Sequence, residues 1–298
     1  MDNMSLKMDN ILSFEQKPAH DWTKMEGSCV DFFMLEDEIP NFPDHKAILR
    51  EDKLGNRTGL GIVGRNYPLT THTDFFARQH EMFEKKFPAG HLENAEISYQ
   101  TSRKGAFALM NLILPDVKLP IETSKHKTEV GLRHVSWHGV DGGTSNNSIF
   151  GAIDFFCTNG IITGEYERIR KKNTKNFDMR KFIDEIEKSV EEFYVTARKY
   201  QAWAARDISY QDAENVIESL PIAKRNKPKL LTIYEQEVMD RGSNLWALYS
   251  AFTNYSSHTD NGFPIRQTGG DHQAETMLKR EFSVVSWLDN EEFVRLAA

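Results

Sequence analysis

From Tyr166 to Lys175 the chain reads Tyr166-Glu167-Arg168-Ile169-Arg170-Lys171-Lys172-Asn173-Thr174-Lys175, a dense run of cations around one aromatic residue. The period of two in a strand puts Tyr166, Arg168, Arg170 and Lys172 on one face. Arginine forks meet phosphate oxygens, lysine adds point charge, and an aromatic ring offers a surface on which an unpaired base stacks. The chemistry is noncovalent: such a row holds a polyanion. Lys171 and Lys175 add to its charge. Arg103 and Lys104 at a hairpin tip, Lys125 and Lys127 before a later strand, and Arg133 within that strand extend the same surface. A charged row also suits a solvated edge strand protected from aggregation, and the residues alone leave both readings open. A second basic cluster, Lys224-Arg225-Asn226-Lys227-Pro228-Lys229, reads as a linker between helices.

Other residues invite covalent or metal chemistry, and each has a plainer reading. Gly59-Leu60-Gly61-Ile62-Val63-Gly64 fits G-x-G-x-x-G, but that fingerprint needs a buried strand before it and a helix starting within it. Glu51 to Thr58 is charged and turn-like, and Pro68 follows closely. A glycine-rich loop or bulged strand is the better expectation. Gly139 to Ser145 could cradle an anion through its amides; it lacks the P-loop lysine and reads more simply as a hairpin tip. His134 and His138 have i, i+4 spacing, yet they sit in a strand, and nothing of the H-E-x-x-H type completes a metal site. Cys29 and Cys157 stand far apart in no metal-ligand spacing, which points to a reducing compartment. Ser-His-Asp and Cys-His catalysis stay open, although no G-x-S-x-G elbow occurs. Asp141 and Asp154 are the carboxylates that a divalent-ion nuclease would draw on.

The elements that would position these residues follow from pattern. Glu96 to Gln100 alternates, Arg103-Lys104-Gly105 turns, and Phe107 to Leu114 is apolar: a hairpin. Val130 to Trp137, Ile149 to Cys157 and the charged Ile161 to Lys172 complete an antiparallel sheet. From Phe177 the period changes, and Phe182, Ile186, Val190, Phe193, Ala197, Tyr200 and Ala204 fall on one face of a long helix, with Asn176 as its cap. Ser209-x-x-Asp212 is a capping box before a helix ended by Pro221. Pro228 suits a first helical turn. Leu245, Leu248, Tyr249, Phe252 and Tyr255 form a further stripe beyond a weak point at Gly242-Ser243. Asp74 to Phe87 is helical, whereas Phe32 to Pro43 and Gly59 to Gly64 read as loops with short strands. The fold class is therefore α+β: an antiparallel sheet with hairpins, a long amphipathic helix and a helical C-terminal region. Three regions are expected. Residues 1–95 form an acidic region of mixed loops, short strands and one helix, 96–206 a basic core of sheet plus long helix, and 207–298 a helical region.

Composition sets the outer bounds. The 298 residues carry 27% charged and 39% apolar side chains and a net charge of -7, which excludes disordered and collagenous classes and a uniformly basic surface. Charge is uneven, however. Residues 96–182 hold 13 basic and 9 acidic groups, while the segments on either side are net acidic. The apolar stretch Gly105 to Leu114 is half a bilayer span, and Met1 to Asn10 has no secretory or transit pattern. No membrane association is expected, and a cytoplasmic location is.

Gly61-Ile62-Val63-Gly64-Arg65-Asn66-Tyr67, the stretch from Trp137 through the glycine loop to Phe150-Gly151-Ala152-Ile153-Asp154-Phe155-Phe156-Cys157-Thr158-Asn159-Gly160, and Asn244-Leu245-Trp246-Ala247-Leu248-Tyr249-Ser250-Ala251-Phe252-Thr253 together form a further pattern. It resembles the phage- and plasmid-borne proteins grouped as domain of unknown function 932, from about Gly59 to about His258. That resemblance implies a mobile-element setting, hence a bacterial host cytoplasm, and supplies no catalytic or binding residues to carry over. By architecture alone, a sheet followed by a long helix is similar to single-strand annealing proteins, which assemble around a basic groove. The expectation is a single-stranded-DNA-binding protein of annealing or recombination type. It would form a homo-oligomeric ring or filament and need no cofactor and no metal. The alternatives are a metal-dependent nuclease-like enzyme and a regulatory protein that binds a host factor.

Overall fold

A computed structural model of the chain describes residues 15–18, 32–87, 92–155, 159–161, 169–171, 193–258 and 273–298. The strands are β1 (Glu15–Pro18), β2 (Phe32–Glu38), β3 (His45–Asp52), β4 (Arg57–Gly64), β5 (Glu96–Ser102), β6 (Phe107–Glu122), β7 (Lys127–Gly139), β8 (Asn146–Asp154), β9 (Asn159–Ile161) and β10 (Ile169–Lys171). The helices are α1 (His72–Lys86), α2 (193–204), α3 (Tyr210–Ser219), α4 (Lys227–Arg241), α5 (Leu245–Ser257), α6 (Gln273–Leu288) and α7 (Glu291–Ala297). The class is α+β, with a helical C-terminal region.

The main sheet is antiparallel in the order β1-β5-β6-β7-β8-β10, and β9 also pairs with β8. The hairpin predicted around Arg103 to Gly105 forms, but β6 runs on to Glu122 through Pro115 and Pro120. Its register with β7 shifts between Leu114 and Lys118, a bulge that admits the first proline. Both sheet faces are covered, which is why these strands read as apolar runs. On the first face Tyr99, Met110, Leu112, Leu132 and Phe150 join α1 and the C-terminal helices in the main core. On the second, Phe107, Leu109, Val135, Trp137 and Ile149 meet Ala274 and Leu278 of α6, with Phe282 and Val285 packed alongside.

α1 shows what holds a helix here. Thr71 caps it by accepting from the Asp74 amide, a bond contributing about 1 kcal/mol. Phe75, Phe76 and Phe83 are fully buried, each contributing roughly 1.5–3 kcal/mol. Packing therefore outweighs capping.

Residues 32–64 correct the expectation of loops with short strands. β2, β3 and β4 form a regular antiparallel meander. Ile48, Leu60 and Val63 pack on Ala106 and Val140 at the end of the main sheet, while Phe33 and Ile62 are 66% and 67% exposed. Apolar residues on both faces and a bulge at Ile48/Leu49 hide the alternation that would announce strands. The glycine motif lies within β4, a bulged strand with no helix inside it.

Of the long helix expected from Phe177, the described part is α2, where Phe193, Ala197, Tyr200 and Ala204 are buried as predicted; Asn176 and the earlier turns lie outside the described residues. The Ser209–Asp212 capping box forms, Pro228 stands in the first turn of α4, and Gly242 ends that helix at φ 85°. α5 buries eleven of its thirteen residues, so it is a central helix rather than one with a single apolar stripe. An ion network ties this helical region to the sheet: Arg241 of α4 contacts Asp154 of β8 at 2.8 Å and Glu237 at 2.7 Å. Among the described residues no helix is long and apolar enough to cross a membrane.

Candidate functional site

Three elements meet beside the β5–β6 turn. In that turn Arg103, Lys104 and Gly105 take φ values of 52°, 57° and 100°. Left-handed backbone is open to glycine but costs other residues about 1–2 kcal/mol each, so the surroundings must hold the turn in place. The Gly105 carbonyl accepts from His72 Nε2 at 2.9 Å. Arg103 itself does the rest. Its Nη1 donates to Asp141 Oδ2 at 2.7 Å and to Thr144 Oγ1 at 3.0 Å in the β7–β8 loop, and its Nε donates to Glu275 Oε2 of α6 at 3.0 Å. A second branch, Nη2, meets Glu275 Oε1. The bond to Glu275, with the charges of Glu275 and Asp141, strengthens the hold of Arg103 on its proton.

Asp141 also organises the glycine loop. Its Oδ1 accepts from the Gly143 and Thr144 amides at 2.9 and 2.7 Å, and Oδ2 accepts from Thr144 Oγ1. Burial alone would raise this carboxyl's pKa; the Thr144 and Gly143 hydrogen bonds and the Arg103 charge hold it below the usual carboxylate range. The loop amides that could have made an anion nest are thus turned on the chain's own carboxylate.

Between this loop, the turn and α6 opens a cleft of about 630 Å³. Phe107, Trp137 and Phe282 line it with Asn147, Arg103 and Lys279, and Trp137 meets Phe282 edge to face at 5.8 Å. A volume of this order suits a nucleotide-sized ligand. β10 flanks the cleft. Its Arg170 pairs in register with Asn147, Ile169 with Ser148 and Lys171 with Asn146. Among the described residues β10 ends the strand order of the sheet, the position of a charge-protected edge strand.

The expected cations are distributed as follows. Arg103 is in the cleft, Lys104 is its exposed neighbour, and Arg170 and Lys171 are in β10. Tyr166, Arg168, Lys172 and Lys175 lie outside the described residues. Arg133 is buried, donating to Asn111 Oδ1 and to Glu281 Oε2 of α6. Lys125 and Lys127 belong to the β6–β7 hairpin, where Lys125 Nζ donates to the Val238 carbonyl and Lys127 pairs with Glu122. That hairpin is at the opposite end of β7 from Gly139, about 40 Å away at 3.3 Å per residue. Among the described residues, Lys125, Lys127 and Arg133 do not share a face with Arg103 and Lys104.

His134 and His138 share the first sheet face, turned from the cleft. His138 Nδ1 is 2.7 Å from His72 Nδ1, and His134 Nε2 meets Ser148 Oγ. Asp154 bonds Thr128 and Arg241, so it shares no cation site with Asp141. Among the described residues no group of three or more His, Cys, Asp or Glu is placed to hold a metal ion. Lys279, Phe282 and Glu275 were missed from sequence, because they come from a helix more than a hundred residues downstream with no local motif.

The class is that of an α+β protein whose antiparallel sheet carries a cleft under a late helix. Residues 60–281 match the family described as Domain of unknown function (DUF932), and the chain belongs to that family. No curated protein and no solved structure matches it.

Proposed function

We propose that the protein binds single-stranded DNA, as annealing or recombination proteins do, without covalent chemistry. The observation that carries this reading is the cleft itself: Phe107, Trp137 and Phe282 beside Lys279 and Arg103, the latter paired with the Asp141 and Glu275 carboxylates of the same wall, and β10 with Arg170 and Lys171 paired to β8 at Asn147. Aromatic residues supply sequence-tolerant stacking, and the cations track phosphates. The acidic remainder keeps the molecule soluble. Assembly with copies of itself belongs to this reading.

Fluorescence anisotropy with an oligo(dT) probe tests it. Affinity is expected to fall as salt rises, with a logarithmic slope of about -0.7 for each phosphate neutralised, and to depend little on sequence. Alanine at Arg168, Arg170 and Lys172 together weakens binding by about tenfold or more. A folded triple variant with unchanged affinity rejects the basic row. Light scattering with and without the oligonucleotide reports the assembly.

A further inference from the structure

The sheet face under α6 is unusual in what it buries. By register Ser98, Gln100 and Ser102 of β5 stand beside Asn111, Leu109 and Phe107 of β6 on the second face, and α6 packs across β5. Ser98 Oγ, Gln100 Oε1 and Ser102 Oγ are shut from solvent and have no hydrogen-bond partner among the described residues. Leaving such groups unpaired is costly, and folded proteins rarely do it without a reason. Next to this polar row are two arginines, and both are bound by α6: Arg103 by Glu275 and Arg133 by Glu281. Phe282, one residue on, rests edge-on against Trp137.

Two acidic side chains on two arginines and an aromatic ring on a tryptophan repeat, within one helix, the contacts a single strand makes through its phosphates and bases. Resting on the nucleic-acid reading above, we infer that the sheet face beneath α6 is the track for the polynucleotide and that α6 is its built-in competitor. In the bound state Glu275 and Glu281 give up Arg103 and Arg133 to phosphates, Phe282 leaves Trp137 to a base, and Ser98, Gln100 and Ser102 gain polar partners. The helix has a place to pivot. Val284 and Trp287 at its C-terminal end belong to the main core, where Trp287 packs on Phe252 and Tyr255, whereas Ala274 and Leu278 of its first half rest on the sheet.

The test compares wild type and Glu275→Gln for oligo(dT) affinity at one salt concentration. Glu275 is the choice because Arg103 is 39% exposed, so the neutral isostere leaves no charge fully buried. The variant is expected to bind about tenfold tighter, the 1.4 kcal/mol equivalent of one lost competitor. Hydrogen exchange on wild type gives an independent measure and covers a variant that fails to fold: residues 273–282 exchange faster when the oligonucleotide saturates the protein. Equal or weaker binding by folded Glu275→Gln, or unchanged or slower exchange of α6 in the wild-type complex, overturns the competitor role while leaving the DNA-binding reading standing. If neither protein binds the probe at low salt, the reading itself fails and takes this inference with it.

Discussion

Gly61 decides how closely the meander approaches the glycine loop. A Cβ at this position would stand 2.7 Å from the Asp141 Cα and 3.1 Å from its carbonyl oxygen, backbone atoms that cannot rotate away. Asp141 in turn organises the loop and holds Arg103. Gly61→Ala is therefore expected to cost about 1–3 kcal/mol, the range for overpacking a well-filled site. Gly59 shares the motif but has nothing within 4 Å of its added Cβ, so Gly59→Ala changes stability by no more than about 0.5 kcal/mol. Urea unfolding of the pair separates the two. Equal losses would mean that close packing is not what Gly61 supplies. The glycine spacing was visible in sequence, but the packing need of one glycine was not, because the neighbour that imposes it is eighty residues away.

At the level of elements, α1 seals the first sheet face with polar as well as apolar contacts. His72 Nε2–H donates to the Gly105 carbonyl, so its Nδ1 is the acceptor of the 2.7 Å bond from His138 Nδ1–H. His80 Nε2 is 3.1 Å from the Tyr99 hydroxyl, and Gln79 donates to Ser136 Oγ. All four histidines are kept neutral by burial, which lowers His72 to about 4 and His80 and His134 to about 3, and puts His138 well below its ordinary value. Since the unfolded chain binds protons near pH 6.5 and the folded chain does not, this stability is present above pH 6.5 and lost as pH falls toward the folded values. The unfolding free energy is expected to drop between pH 6.5 and 5 by up to about 1.4 kcal/mol per pH unit for each histidine. Glu237, raised by burial, acts in the opposite sense, but a single carboxyl does not offset four imidazoles. A flat profile across this range would contradict the buried neutral network. α1 was legible from its apolar spacing, as were the Ser209–Asp212 box and the β5–β6 hairpin, because each signal is local. The i, i+4 spacing of His134 and His138 did place both on one face, through the period of two in a strand, and His72, the partner of His138, carries no sequence mark.

For the whole molecule, several cations of the basic middle segment are met by carboxylates rather than left to form one face. Arg103 and Arg133 belong to the basic segment, yet their carboxylate partners Glu275 and Glu281 come from the acidic last third. Lys118 and Lys127 are paired within the segment by Glu129 and Glu122. Segmental arithmetic cannot foresee pairs between distant segments, which is why the cleft was only partly legible. The same long-range pairing joins the two halves of the fold through Arg241, fully buried between Asp154 of β8 and Glu237 of α4. Removing one member of such a network leaves an uncompensated buried charge, at a cost of about 3–5 kcal/mol. Arg241→Met is expected to lose that much in urea unfolding at pH 7, since it strands two carboxylates. Adding Glu237→Leu and Asp154→Leu removes the stranded charges, and the triple variant recovers most of the loss even though Thr128 and Asn254 each give up an acceptor. If it recovers nothing, the network holds sheet and helices together through its directional bonds rather than through the balance of charge.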